Sequence, residues 1–117
     1  MVTMTEQKET RFVNFRTTVH PGIAVLLLEP SPLTGEITHV LFHFPAGCNA
    51  LVMVRVLLNH EPVWPIRENF LALDDSSPLY EVSEVVKKFD PLEVEIWNTD
   101  DTYDHTVTVE LTLKGQL

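Results

Sequence analysis

The feature that most constrains the fold is a strict alternation of apolar and polar residues between positions 105 and 113. Four apolar side chains fall on one side of the alternation: Val107, Val109, Leu111 and Leu113. The polar side holds Thr106, Thr108, Glu110 and Thr112. Period-two alternation rich in valine and threonine is typical of a strand with one buried face. The chain is therefore expected to build a sheet here, with the apolar set facing a core.

A second alternating run, residues 92–97, precedes it. Leu92, Val94 and Ile96 share one face, which leaves Glu93, Glu95 and Trp97 on the other. The intervening segment, NTDDTYD at 98–104, is rich in turn-forming residues. We predict that the two runs pair as a hairpin across this loop. Alternating glutamates are typical of a solvated strand face.

Comparable segments recur along the chain and are separated by turn signals. Strands are predicted at residues 12–19, 23–28, 37–44, 50–58, 63–64 and 70–73. The segment SSPLYEVSEVVKKF has some helical spacing, but its valines and the alternation of Tyr80 with Val82 favour an extended strand. Turn signals at this spacing favour a sandwich or barrel. We predict an all-β, antiparallel sandwich of jelly-roll type with about seven to nine strands.

The length of 117 residues predicts a single domain, which we place at 12–117, after a flexible or partner-docked arm at 1–11. The net charge of −9 argues against a nucleic-acid partner. The amino terminus lacks an apolar signal-peptide core, and the longest apolar run, IAVLLL, is far too short to span a membrane. These features predict a cytoplasmic location, or a virion if the protein is viral.

Residue patterns for catalysis and metal binding are weak. The stretch KKFDPLEVEIWNTDDTYDHTVTV resembles the strand–loop–strand of cupredoxins, with His105 at the position of the first copper ligand. A copper site of that kind also needs a thiolate and a second imidazole, and neither follows His105. Cys48 has no recognisable base nearby in the sequence and is interpreted as a small buried residue. We predict no enzyme activity, no cofactor and no metal ligands.

The acidic loop leaves one alternative open. Asp100, Asp101 and Asp104 are the oxygen ligands that calcium prefers, yet their spacing lacks the EF-hand pattern and its glycine. Aspartate and asparagine also form turns in solvated loops, which is the favoured interpretation.

The strand ALVMVRVLL is apolar on both faces, whereas a strand of a small sandwich normally has one wet face. We predict a homo-oligomeric interface on its second face, formed by Leu51, Met53, Arg55, Leu57 and the outward-facing Trp97. Arg55 would fix the register of that contact. As an alternative, a carbohydrate- or small-ligand-binding module would use Trp64, Trp97, Tyr103, Asp100 and Asp104.

The segments FPAGCNALVMVRVLLN and FLALDDSSPLYEVSEVVKKFDPLEVEIWNTD are similar to small all-β structural proteins of phages and viruses. The similarity extends over residues 42–113 and contains no diagnostic motif. It implies a sandwich or jelly roll, symmetric assembly and no catalysis. The expected function is therefore that of a non-catalytic virion component, a capsid or decoration protein, whose partners are copies of itself and other structural proteins.

Overall fold

A computed structural model describes residues 8–65 and 70–117 of the chain. The regular structure in these residues is entirely β. The eight strands are β1 Glu9–Val19, β2 Ala24–Pro30, β3 Thr34–His43, β4 Val52–Leu58, β5 Glu61–Trp64, β6 Leu79–Val86, β7 Pro91–Asn98 and β8 His105–Gln116. Within the described ranges there is no helix with the length and apolarity to cross a membrane.

The strands form two four-stranded antiparallel sheets, with the orders β1-β8-β3-β6 and β2-β7-β4-β5. The pairing follows one rule, since the first strand bonds to the last, the second to the seventh, the third to the sixth and the fourth to the fifth. An eight-stranded ribbon paired in this way and rolled into two facing sheets is a jelly roll. The predicted fold class and strand number are confirmed.

The core lies between the sheets and is built by the alternation seen in the sequence. Residues 107, 109, 111 and 113 of β8 are fully buried, as are Leu92, Val94 and Ile96 of β7. In β3, Ile37 and Val40 are three positions apart, so in a regular strand they would face opposite sides, yet both are buried. A register shift between Ile37 and His39 accounts for this, because a bulge moves the later residues to the opposite phase.

Three sequence predictions are corrected. The runs 92–97 and 105–113 do not form a hairpin, because β7 and β8 belong to different sheets and their loop crosses between them. Residues 70–73 form no strand; Leu71 makes a single bridge to Val54. The predicted arm is too long, because residues 9–11 already pair in β1, while residues 1–7 lie outside the described ranges. The extended form of 79–86 is confirmed as β6.

The sheet that contains β8 depends on two facing glycines. Gly35 of β3 lies opposite Gly115 of β8. A Cβ atom on Gly115 would overlap the carbonyl oxygen of Thr34, and one on Gly35 would overlap that of Lys114. Only glycine allows the two backbones to approach this closely.

Candidate functional site

The strand register places the predicted interface residues on one surface. On the outer side of the sheet β2-β7-β4-β5, Trp97 lies between Ala24 and Met53. One pair further along, Glu95 lies between Leu26 and Arg55, and Glu93 then lies between Leu28 and Leu57. With Leu51, which precedes β4, this surface is called the apolar face; its large apolar members are Leu26, Leu28, Leu51, Met53, Leu57 and Trp97.

Exposure differs among the members of the apolar face. Leu26 and Leu28 are 55% and 58% exposed, and Trp97 is 43% exposed. Leu57, in contrast, is buried at 8%. The sequence identified 23–28 as an apolar strand but did not show that Leu26 and Leu28 face outward, because a wholly apolar run has no polar residues to mark its wet side.

One ion pair, between Arg55 and Glu95, crosses the middle of the apolar face. The Arg55 Nε atom donates to Glu95 Oε1 at 2.5 Å, and the guanidinium carbon of Arg55 lies 4.4 Å from the ring centre of Phe70. Arg55 is therefore already held by its own chain on both sides. A planar guanidinium stacked on a ring and bonded to a carboxylate is a well-ordered arrangement.

Glu93 corrects the prediction of a solvated glutamate face, because it is only 3% exposed. His60 Nδ1 lies 2.5 Å from Glu93 Oε1, but the two atoms do not form a hydrogen bond. Among the described residues, Oε1 has no hydrogen-bond partner. A buried carboxylate oxygen without such a partner is costly to the fold.

The outer side of the other sheet, β1-β8-β3-β6, has a different character. Its central strand β8 presents Thr106, Thr108, Glu110, Thr112 and Lys114 there. Exposed large apolar residues occur on this sheet at its edge strands, with Phe12 on β1 and Leu79 and Val85 on β6. The two outer surfaces of the sandwich are thus unequal, one polar at its centre and the other largely apolar.

The β7–β8 loop is fixed by a network around Asn98. The side chain of Asn98 is fully buried, donates to the carbonyls of Val19 and Tyr103 at 2.9 Å, and accepts from the Asp100 amide at 3.0 Å. Asp100 accepts a bond from His105 Nε2 at 2.8 Å and another from the Thr102 amide. The interpretation of Asp100 as a solvated turn residue is wrong: it is 7% exposed and paired.

The hydrogen bonds around Asp100 change the pKa of its carboxyl group. The hydrogen bond from His105, followed by that from the Thr102 amide, lowers the pKa of Asp100 below its ordinary value. Asp104 is bonded separately to His20 at 2.9 Å in an exposed pair. Within the residues that the structure describes, no group of three or more His, Cys, Asp or Glu side chains is placed to hold a metal ion.

Cys48 is fully buried, as the sequence predicted. Burial, and secondarily the carboxylate of Asp74, raises the pKa of its thiol. The thiol therefore remains protonated at neutral pH, whereas nucleophilic attack requires the thiolate.

The residues of the ligand-binding alternative do not converge. Trp97 is on the apolar face, Tyr103 is exposed in the β7–β8 loop, and Asp100 is occupied by His105. Trp64 lies elsewhere, on the edge strand β5, where it lines a cleft of about 290 Å³ with Pro65, Tyr80, Glu81 and Val82. The sequence did not associate Trp64 with Tyr80, because periodicity does not show which edges of two sheets face each other.

The chain matches no protein-family model and no curated protein. Among solved structures it is similar to a crystal structure of FLHE, with a TM-score of 0.54 and 14% sequence identity, over 94% of this chain and 98% of that one. A likeness at this level of identity concerns the fold alone, and jelly rolls host many unrelated functions.

Proposed function

We propose that the protein is a non-catalytic structural subunit that assembles with copies of itself through the apolar face, and that the assembly is part of a virion. The observation that carries the proposal is the inequality of the two outer surfaces. A contiguous exposed apolar patch often marks a protein interaction site, whereas single apolar residues scattered over a surface are normal. The resemblance to small phage and virus structural proteins supports the virion role.

The arrangement of charge on the apolar face supports a specific contact. Leu26, Leu28 and Trp97 offer large side chains that lose water on contact, at about 25 cal/mol for each Å² buried. Arg55 and Glu95 satisfy each other within the chain, so a partner can cover them without leaving an isolated charge. A two-fold contact would place the same patch against itself, which is the commonest symmetry of soluble oligomers.

The experiment compares two matched charge insertions. Leu26→Glu places a carboxylate on the apolar face, and Phe12→Glu places one at a similarly exposed site, 59% against 55%, on the other sheet. Light scattering after size exclusion, across a dilution series, should show an oligomer for the unchanged protein and for Phe12→Glu, and a smaller species for Leu26→Glu. Monomeric unchanged protein at every concentration, or equal assembly of both variants, would contradict the self-assembly proposal.

The virion role has a separate readout. Negative-stain electron microscopy of the assembled protein should show discrete closed particles or rings rather than irregular aggregates, because repeated identical contacts close by rotation. Oligomers of irregular form would retain the self-contact but count against the virion role.

A further inference from the structure

The edge of β6 offers backbone groups that no described strand uses. β6 is the last strand of its sheet, and within residues 8–65 and 70–117 only β3 pairs with it. The amide of Phe42 donates to the carbonyl of Pro78, which sets the phase of the ladder. Hydrogen-bonded pairs alternate in an antiparallel ladder, so Tyr80 bonds to Val40, while the amide and carbonyl groups of Leu79 and Glu81 point away from β3.

The side chains beside this edge form two distinct rows. Tyr80 and Val82 face the inside of the sandwich, where they line the cleft of about 290 Å³ together with Trp64 and Pro65. Tyr80 is held there by an edge-to-face contact with Phe42, with 5.9 Å between ring centres. Glu81 and Ser83 occupy the outer side, and Ser83 donates to Glu36 at 3.0 Å. Leu79 and Val85 also lie on the outer side, and Glu84 lies on the inner side, so it is the stretch from Tyr80 to Ser83 that is apolar inside and acidic outside.

β6 is only partly protected against further pairing, and its protection consists mainly of negative charge. Its sequence, LYEVSEVV, contains no lysine or proline, but it carries Glu81 and Glu84. The three residue steps from Glu81 to Glu84 lie opposite only two steps of β3, from Ile37 to His39, so β6 also contains an extra residue there. Its eight residues are long enough for a partner strand. Pairing with a second copy of β6 is disfavoured, because it would bring Glu81 and Glu84 of both copies to one seam, where like charges repel.

We propose that the β6 edge binds an extended peptide segment by strand addition, and that the segment alternates apolar with basic residues. The backbone of the segment would pair with the free groups of Leu79 and Glu81. Its apolar side chains would enter the cleft against Trp64 and Tyr80, and its lysine or arginine side chains would lie beside Glu81 and Glu36. Main-chain bonds supply affinity in this mode, and side-chain pockets supply specificity. The proposal does not depend on self-assembly through the apolar face.

The test uses a synthetic peptide of one strand's length in which lysine alternates with valine. Trp97→Phe leaves Trp64 as the sole tryptophan, so its fluorescence reports occupancy of the cleft. The peptide should shift this fluorescence saturably and slow hydrogen exchange at the Glu81 amide. A peptide with glutamate in place of lysine should bind far more weakly. Absence of binding by the lysine peptide overturns the proposal.

Two matched changes separate strand addition from binding in the cleft alone. Glu81→Pro removes the outward amide, and its ring is compatible with an edge position; Glu81→Gln keeps the amide and removes only the charge. We expect Glu81→Gln to weaken binding about two- to fivefold, as for an exposed ion pair, and Glu81→Pro to weaken it more than about tenfold. A lysine peptide methylated on alternate amide nitrogens tests the same bonds on the unchanged protein.

Equal binding of the methylated and unmethylated peptides would overturn strand addition, as would equal binding by Glu81→Pro and Glu81→Gln. Circular dichroism must show that both variants keep the β fold; should Glu81→Pro unfold, the methylated peptide decides. Displacement of the peptide by simple methyl glycosides at comparable concentration would assign the cleft to sugars and also overturn the proposal.

Discussion

Asn98 holds together two connections at one end of the sandwich, and its removal should be costly. The carboxamide makes three hydrogen bonds, to the carbonyls of Val19 and Tyr103 and from the amide of Asp100, in a fully buried position. In Asn98→Ala these three backbone groups lose their partner. At about 1 kcal/mol for each bond, the free energy of unfolding should fall by about 3 kcal/mol. That loss is a large part of the free energy of unfolding of a whole domain, which is typically about 5–15 kcal/mol.

Urea denaturation followed by circular dichroism measures this loss, and thermal melting should show a midpoint lower by about 10 °C. Asn14→Ala is the matched control, because Asn14 is an exposed strand residue and the same change should cost less than about 0.5 kcal/mol. Equal stability of the two variants would refute the reasoning. It would mean that the loop relaxes or that water replaces the carboxamide at no cost.

Two further predictions concern the backbone and the Asp100 carboxylate. Gly115→Ala should destabilise the fold by about 1–3 kcal/mol or more, because its Cβ meets the Thr34 carbonyl across a tightly spaced strand pair; a denaturation midpoint unchanged from the parent would contradict this. Because the folded pKa of Asp100 is lowered, its ionised form stabilises the fold above the ordinary aspartate pKa, and this contribution is lost as pH falls through the lowered value. The stability difference between the parent and Asp100→Asn should therefore be largest near neutral pH and shrink in acid, and a difference independent of pH would argue against a stabilising role of the ionised Asp100 carboxylate.

The sequence predicted the strands and their buried faces well, since both depend on a local period of two. The apolar residues that alternate within 107–113 and within 92–96 face the core as expected. Partner choice is not local, however, and the β7–β8 hairpin prediction failed for that reason. A polar loop between two alternating runs can turn a hairpin or cross between sheets, and the period of the flanking strands is the same in both cases.

Predictions for the residues of the candidate site succeeded or failed for the same reason. Met53, Leu57 and Trp97 could be assigned to one face from spacing alone, because β4 and β7 each alternate. The burial of Glu93 and Asp100 could not, since a glutamate in a strand and an aspartate in a loop are usually solvated. Their burial depends on His60 and His105, which approach them only in the folded chain.

The nested pairing of first strand with last has a consequence for how the chain reaches this fold. Among the strands that the structure describes, β4 and β5 alone are paired partners joined by a short turn, at Asn59 and His60; the other partners are more distant along the chain. Closing such long loops is entropically unfavourable before the contacts form, so folding should be slow and should begin at the β4–β5 turn. Because β8 lies between β1 and β3, a ribosome must complete β8 before either strand has its central neighbour. Until then, both present open edges to other chains in a crowded cell.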